Sequence, residues 1–108
     1  SWEIINQKDI QEKIFIKGNI YCEGDLIISS PLELEGNLVI NNGKVIINSY
    51  SDTDIQPIIN IKGKLFDRSI EPIDIDCIHF NTEKKYIYKY GSYFPGFLDM
   101  NIDVIKNE

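Results

Sequence analysis

The sequence predicts an all-β protein. A short β-helix or solenoid-like stack of hexad strands occupies about residues 12–68, and an antiparallel strand region follows over about 70–106. Three observations carry this expectation. Apolar residues recur in pairs every six residues through the first half, and turn formers sit between the pairs. Ile, a strand former, is abundant, whereas Ala, the best helix former, is absent.

The hexad frame begins at Glu12. Cut every six residues, the chain reads EKIFIK, GNIYCE, GDLIIS, SPLELE and GNLVIN. The third and fifth positions are Ile14 and Ile16, Ile20 and Cys22, Leu26 and Ile28, Leu32 and Leu34, Leu38 and Ile40. All ten are apolar. With 43% apolar residues, one chosen frame would do this by chance with a probability on the order of 10⁻⁴. The first position is Gly18, Gly24 or Gly36 in three of the five blocks, and the second is Asn19, Asp25, Pro31 or Asn37 in four of them. These are corner residues: Gly, Asn and Asp tolerate positive φ, and Pro presets a turn.

After Asn41 the frame slips by one residue. It resumes as GKVIIN from Gly43 and returns as PIINIK and GKLFDR, with Ile59, Ile61 and Leu65 in place. Residues 49–56 (SYSDTDIQ) read as a loop. Each block is a short strand and a corner, with two side chains inward by period-two alternation. Three blocks would make one coil, placing Gly18 under Gly36 and Ile20 under Leu38. A second reading stays open at this point. Asn42-Gly43 between apolar runs is also the signature of a β-hairpin, which would make residues 37–48 an antiparallel meander.

The fourth position holds Phe15, Tyr21, Ile27 and Val39, with Glu33 the exception. A solvated outer face would be polar there, so these residues are a candidate surface for a partner or a glycan. Further on, Ile73, Ile75 and Cys77 alternate with acidic residues as a half-buried strand. Tyr86, Tyr88 and Tyr90 alternate as another, and Leu98 to Val104 as a third. The three tyrosines join the candidate partner or glycan surface, since aromatic rings stack on sugars and on proteins. Residues 7–13 are the only stretch that reads as a turn or two of helix.

The 108 residues form a single domain, 1–108. A net charge of −6 and the lack of a basic cluster argue against nucleic-acid binding. No apolar run approaches the length of a membrane span, so any membrane link would come through a segment outside these residues. His79, the only histidine, has no recognisable nucleophile signature beside it, and no phosphate-binding glycine loop is present. Asp52 and Asp54 share a loop but lack the rest of a calcium motif, which leaves a solvated acidic loop. No enzyme activity, metal or cofactor is expected. Cys22 and Cys77 are either two buried thiols or a disulfide, which would imply an oxidising compartment.

The run GNIYCEGDLIISSPLELEGNLVINNGKVIIN resembles the glycine-led repeats of bactofilin-type, polymer-forming domains. That resemblance covers about residues 12–48, with an echo at 57–66, and implies a cytoskeletal β-helix that assembles end to end. The same run also resembles repeats in the ectodomains of type IV minor pilins and pilin-like proteins. This second resemblance implies a cell-surface structural protein whose apolar N-terminal helix, outside these residues, packs on the sheet. It fits a start at Ser1 rather than Met, the apolar outer face and the disulfide reading. The expected function is thus a non-enzymatic structural or assembly module, most closely a cell-surface pilin-like ectodomain. A polymer-forming domain and a carbohydrate-binding module are the alternatives. The partner would be a further copy or another subunit.

Overall fold

The computed structural model describes residues 1–81 and the backbone of Ile87–Lys89. Eleven short strands lie in it: β1 (Trp2–Ile4), β2 (Ile14–Lys17), β3 (Ile20–Glu23), β4 (Leu26–Ile28), β5 (Leu32–Glu35), β6 (Leu38–Asn41), β7 (Val45–Ile47), β8 (Ile59–Ile61), β9 (Leu65–Arg68), β10 (Ile78–Phe80) and β11 (Ile87–Lys89). They form three sheets, ordered β1-β4-β7, β2-β5-β8-β10 and β3-β6-β9-β11, which we call the first, second and third sheets. Every pairing is parallel. The chain visits the second, third and first sheets in turn and then steps up one rung. This is a β-helix, as the hexads predict, and Ile20 does lie in register with Leu38.

The pairing settles the alternative at Asn42-Gly43. Strands β6 and β7 belong to different sheets, so this dipeptide turns a corner rather than closing a hairpin. Asn42 adopts φ 57° there, in the left-handed region that Asn tolerates. Gly43 is needed for space: a Cβ on it would meet the Gly24 carbonyl of the coil below and stand 2.6 Å from Asp25 N. Gly36 and Gly63 are stacked in the same way over Gly18 and Gly36.

The residue after each corner glycine has a different task from the one its type predicts. The glycines Gly18, Gly24 and Gly36 take the positive φ themselves. Asn19 Oδ1 accepts from Asn37 N at 2.9 Å, and Asn37 Oδ1 accepts from Lys64 N at 2.9 Å. At the next corner Asp25 Oδ1 accepts from Lys44 N at 2.9 Å. Each side chain thereby ties one coil to the next, at about 1 kcal/mol per bond.

The inward positions make the core. Leu26, Ile28, Leu32, Leu34, Leu38, Ile40, Ile59, Ile61 and Leu65 are fully buried. Asp67 is a polar residue at an inward position: it stands in register over Ile40 and is buried. Its carboxylate accepts from Ser69 N at 2.9 Å and from the Ser69 hydroxyl at 2.5 Å, which offsets the desolvation of a charge.

Several expectations are corrected. Strands β10 and β11 extend the stack in parallel, in place of the antiparallel region expected from about residue 70. Period-two alternation marks a strand but not its direction, so the sequence could not separate the two. Residues 73–77 are not a strand: Ile75–Cys77 is one turn of 3-10 helix, with the Asp74 side chain accepting from Asp76 N, and Ile73 plugs the core. The alternating run from Leu98 to Val104 lies outside the described residues. Residues 7–13 form turns and no helix, because Asn6 and Asp9 side chains accept from Lys8 N and Gln11 N and so divert the backbone.

Strand β1 had no signal in the hexad frame. It pairs below β4, and Ile4 O accepts from both Ser29 N and Ser30 N. The buried hydroxyls are used as well: Ser29 donates to Glu3 at 2.6 Å, and Ser30 Oγ accepts from Asn6 N at 2.8 Å.

The Gly43→Ala chain is expected to lose about 1–3 kcal/mol of stability, from overpacking against the coil below. Denaturant unfolding measures this directly; an unchanged midpoint would contradict the stacking.

Candidate functional site

Three hexads per coil send consecutive fourth positions to different sheets. On the second sheet the outward column is Phe15, Glu33, Asn60 and His79. On the first it is Glu3, Ile27 and Ile46. On the third it is Tyr21, Val39 and Phe66, and Tyr88 takes the next register position. The expected surface of Phe15, Tyr21, Ile27 and Val39 is therefore split over three faces, and only Tyr21 and Val39 stay together. Tyr86 and Tyr90 lie outside the described residues. Phe66 and Ile46 belong to these columns but were not singled out in the sequence; extending the fourth-position rule to the later blocks would have found them.

Val39 points outward yet is only 7% exposed, flanked in register by Tyr21 and Phe66. Tyr21 itself is 46% exposed and Phe15 70%. Lys13 lies 5.7 Å from the Phe15 ring centroid and 3.5 Å from a Glu33 carboxylate oxygen, both at the surface.

Beside the aromatic column of the third sheet runs a polar one, Glu23, Asn41 and Arg68. The Glu23 carboxylate accepts from Asn42 Nδ2 at 3.0 Å, from Asn41 Nδ2 at 2.7 Å and from the Tyr21 hydroxyl at 3.3 Å. These donors, Asn42 foremost, favour the charged form and lower its pKa. The positive charge of Arg68 acts in the same direction.

The N-terminal end of the stack differs from its middle. Strands β2 and β3 are the last of their sheets, so one edge of each has no strand beside it among the described residues. The inward residues Ile14, Ile16 and Ile20 are only partly buried, and Trp2, in register with the fully buried Leu26, is 63% exposed. A Cβ on Gly18 or Gly24 would have nothing within 4 Å, in contrast to the packed corners above. This end carries apolar side chains and unpaired strand edges together.

The remaining candidates are dispersed. His79 is exposed on the second sheet. Asp52 and Asp54 are exposed in a loop closed by Tyr50 N donating to Ile55 O at 2.9 Å. Among the described residues no three His, Cys, Asp or Glu side chains converge on a metal position, and no helix is long and apolar enough to cross a membrane. Cys22 and Cys77 are both free and buried, which corrects the disulfide reading. Cys22 is in the first coil, whereas Cys77 abuts β10, three rungs along the second sheet from β2. Three rungs are about 14 Å, beyond the roughly 7 Å between Cα atoms that a disulfide spans. Burial raises the pKa of each thiol.

Compared with protein-family models, curated proteins and solved structures, the chain matches none.

The lowered Glu23 pKa has a consequence for pH. Its contribution to stability is present above the ordinary Glu pKa and is lost as pH falls through the lower folded value. NMR titration of the Asn42→Ala chain is expected to return the Glu23 carboxyl toward its ordinary pKa; an unmoved titration would remove Asn42 as the cause.

Proposed function

We propose that the chain is a non-enzymatic structural module that assembles with other protein chains through the N-terminal end of its β-stack. The observation that carries this reading is the state of that end. Two strand edges and four partly exposed inward side chains lie together where the β-helix has no further rung among the described residues. Exposed edges template strand addition, and natural folds cover or charge those not meant to pair. The resemblance of the hexads to polymer-forming β-helical domains supports the same class.

A second reading is a cell-surface, pilin-like ectodomain. The observation in its favour is the third-sheet column of Tyr21, Val39 and Phe66, an apolar strip along the stack axis on which a helix could lie. The first reading draws on the end of the stack and the second on its side, so substitutions separate them.

Sedimentation velocity over a dilution series is expected to show concentration-dependent association of the unaltered chain. Ile16→Lys, at the open end, is expected to weaken it by about tenfold or more, the effect of about 1.4 kcal/mol. Phe66→Ala, on the same side strip but two rungs from that end, is expected to leave it nearly unchanged. A chain that sediments as a monomer at all concentrations would contradict the proposal.

A further inference from the structure

We propose that the outer face of β3 and β6 is a binding site for a neutral glycan, an equatorially linked pyranose chain. The Tyr21 ring is its platform, and the Glu23 carboxylate with the Asn41 and Asn42 amides is its polar edge. The site is independent of the assembly reading above, which uses the end of the stack and not its side.

Two neighbouring strands build this face by period-two alternation. Tyr21 and Glu23 point outward from β3, and Val39 and Asn41 stand in register beside them on β6. An apolar row therefore runs about 6.6 Å from a polar one. In the apolar row Val39 is nearly covered while Tyr21 is largely open, so the tyrosine ring is what the row presents to solvent. A pyranose is two-sided in the same way. Its ring C–H bonds form an apolar face, and its equatorial hydroxyls project from the edge. An aromatic ring with hydrogen-bonding groups to one side meets both features at once.

The polar row is organised in advance. The Glu23 carboxylate accepts from Asn42 Nδ2 at 3.0 Å, from Asn41 Nδ2 at 2.7 Å and from the Tyr21 hydroxyl at 3.3 Å. Asn41 Nδ2 also donates to the Tyr21 hydroxyl at 3.3 Å, so the four side chains form one network that fixes the carboxylate beside the ring. A carboxylate offers about four lone-pair positions, and three donors leave one for a ligand hydroxyl. Glu23 and Asn42 are exposed, within reach of such a ligand. Asn41 holds its amide toward Glu23 at a cost: its Oδ1 is buried and meets no donor among the described residues. An unmatched buried acceptor destabilises a fold, so this orientation serves the carboxylate and not the sheet.

Charge selects among ligands. A ring beside a carboxylate also suits a cation, but Arg68 follows Asn41 in the polar row and its positive charge already acts on Glu23. A polyanionic glycan meets Glu23 and a net charge of −6. A neutral glycan meets neither penalty. Both rows run straight along the stack axis, to Phe66 and Arg68 on the next rung. A ribbon-like, equatorially linked chain follows such a face, whereas a single sugar or a coiled glycan does not.

NMR of the full-length chain reads the site through the side-chain amides of Asn41 and Asn42. Cellohexaose or chitohexaose is expected to shift both amides saturably, and polygalacturonate to leave them in place. Tyr21→Ala is expected to weaken binding about tenfold or more, through loss of the platform. Glu23→Gln, which keeps the size of the side chain, is expected to weaken it about fivefold, and it decides the matter should Tyr21→Ala disturb the stack. Phe15→Ala, on the second sheet, and Ile16→Lys, at the open end, are expected to bind as the unaltered chain does. The glycan site and the assembly reading thus fail separately. Amides that neither hexasaccharide moves would overturn the site, as would full binding by Glu23→Gln. Shifts of the same amides on dilution of the chain alone would give this face to a second copy and overturn the glycan as its ligand.

Discussion

The close approach of glycine corners from one coil to the next is the constraint on which the fold depends. Parallel strands hydrogen-bond only when their backbones lie about 4.8 Å apart, and at the glycine corners there is no room at that spacing for a side chain between the coils. Gly36 over Gly18, Gly63 over Gly36 and Gly43 over Gly24 meet this condition, since a Cβ at any of the upper positions would collide with the coil beneath. Once the corners stack, the side-chain oxygens of Asn19, Asn37 and Asp25 come within reach of the next coil's amides. The inward columns then fill without further turn chemistry. The core follows from the corners as much as the reverse.

The same periodicity explains how much was legible in the sequence. Inward pairs such as Leu26 with Ile28 and Leu38 with Ile40 announce themselves, because burial demands apolar residues there regardless of strand direction. The stacking of Ile20 beneath Leu38 followed from counting three hexads to a coil. Direction itself was not legible. Residues 78–80 and 87–89 alternate in the same way whether parallel or antiparallel, and only the pairing of β10 with β8 and of β11 with β9 decides it. Strand β1 was hidden for a similar reason. It lies outside the hexad frame and is held by Ser29, Ser30 and Glu3, polar contacts that leave no periodic trace.

The candidate surface was legible in composition and not in place. Phe15, Tyr21, Ile27 and Val39 stand out as apolar residues where a solvated strand should be polar. Their spacing sends them to three faces, since only residues a whole coil apart share one. What emerges instead is a strip on the third sheet and an open N-terminal end. The end shows at the corners as well: a Cβ on Gly18 or Gly24 would meet nothing within 4 Å, whereas Gly36, Gly43 and Gly63 are packed on the coil below.

Nuclear Overhauser contacts report whether the three sheets are parallel and the coils stack in register. The backbone of Leu38 is expected to show contacts to both Ile20 and Leu65, its register partners on either side. Contacts between the strands at Leu38–Asn41 and Val45–Ile47, in the pattern of a hairpin closed at Asn42-Gly43, would contradict it.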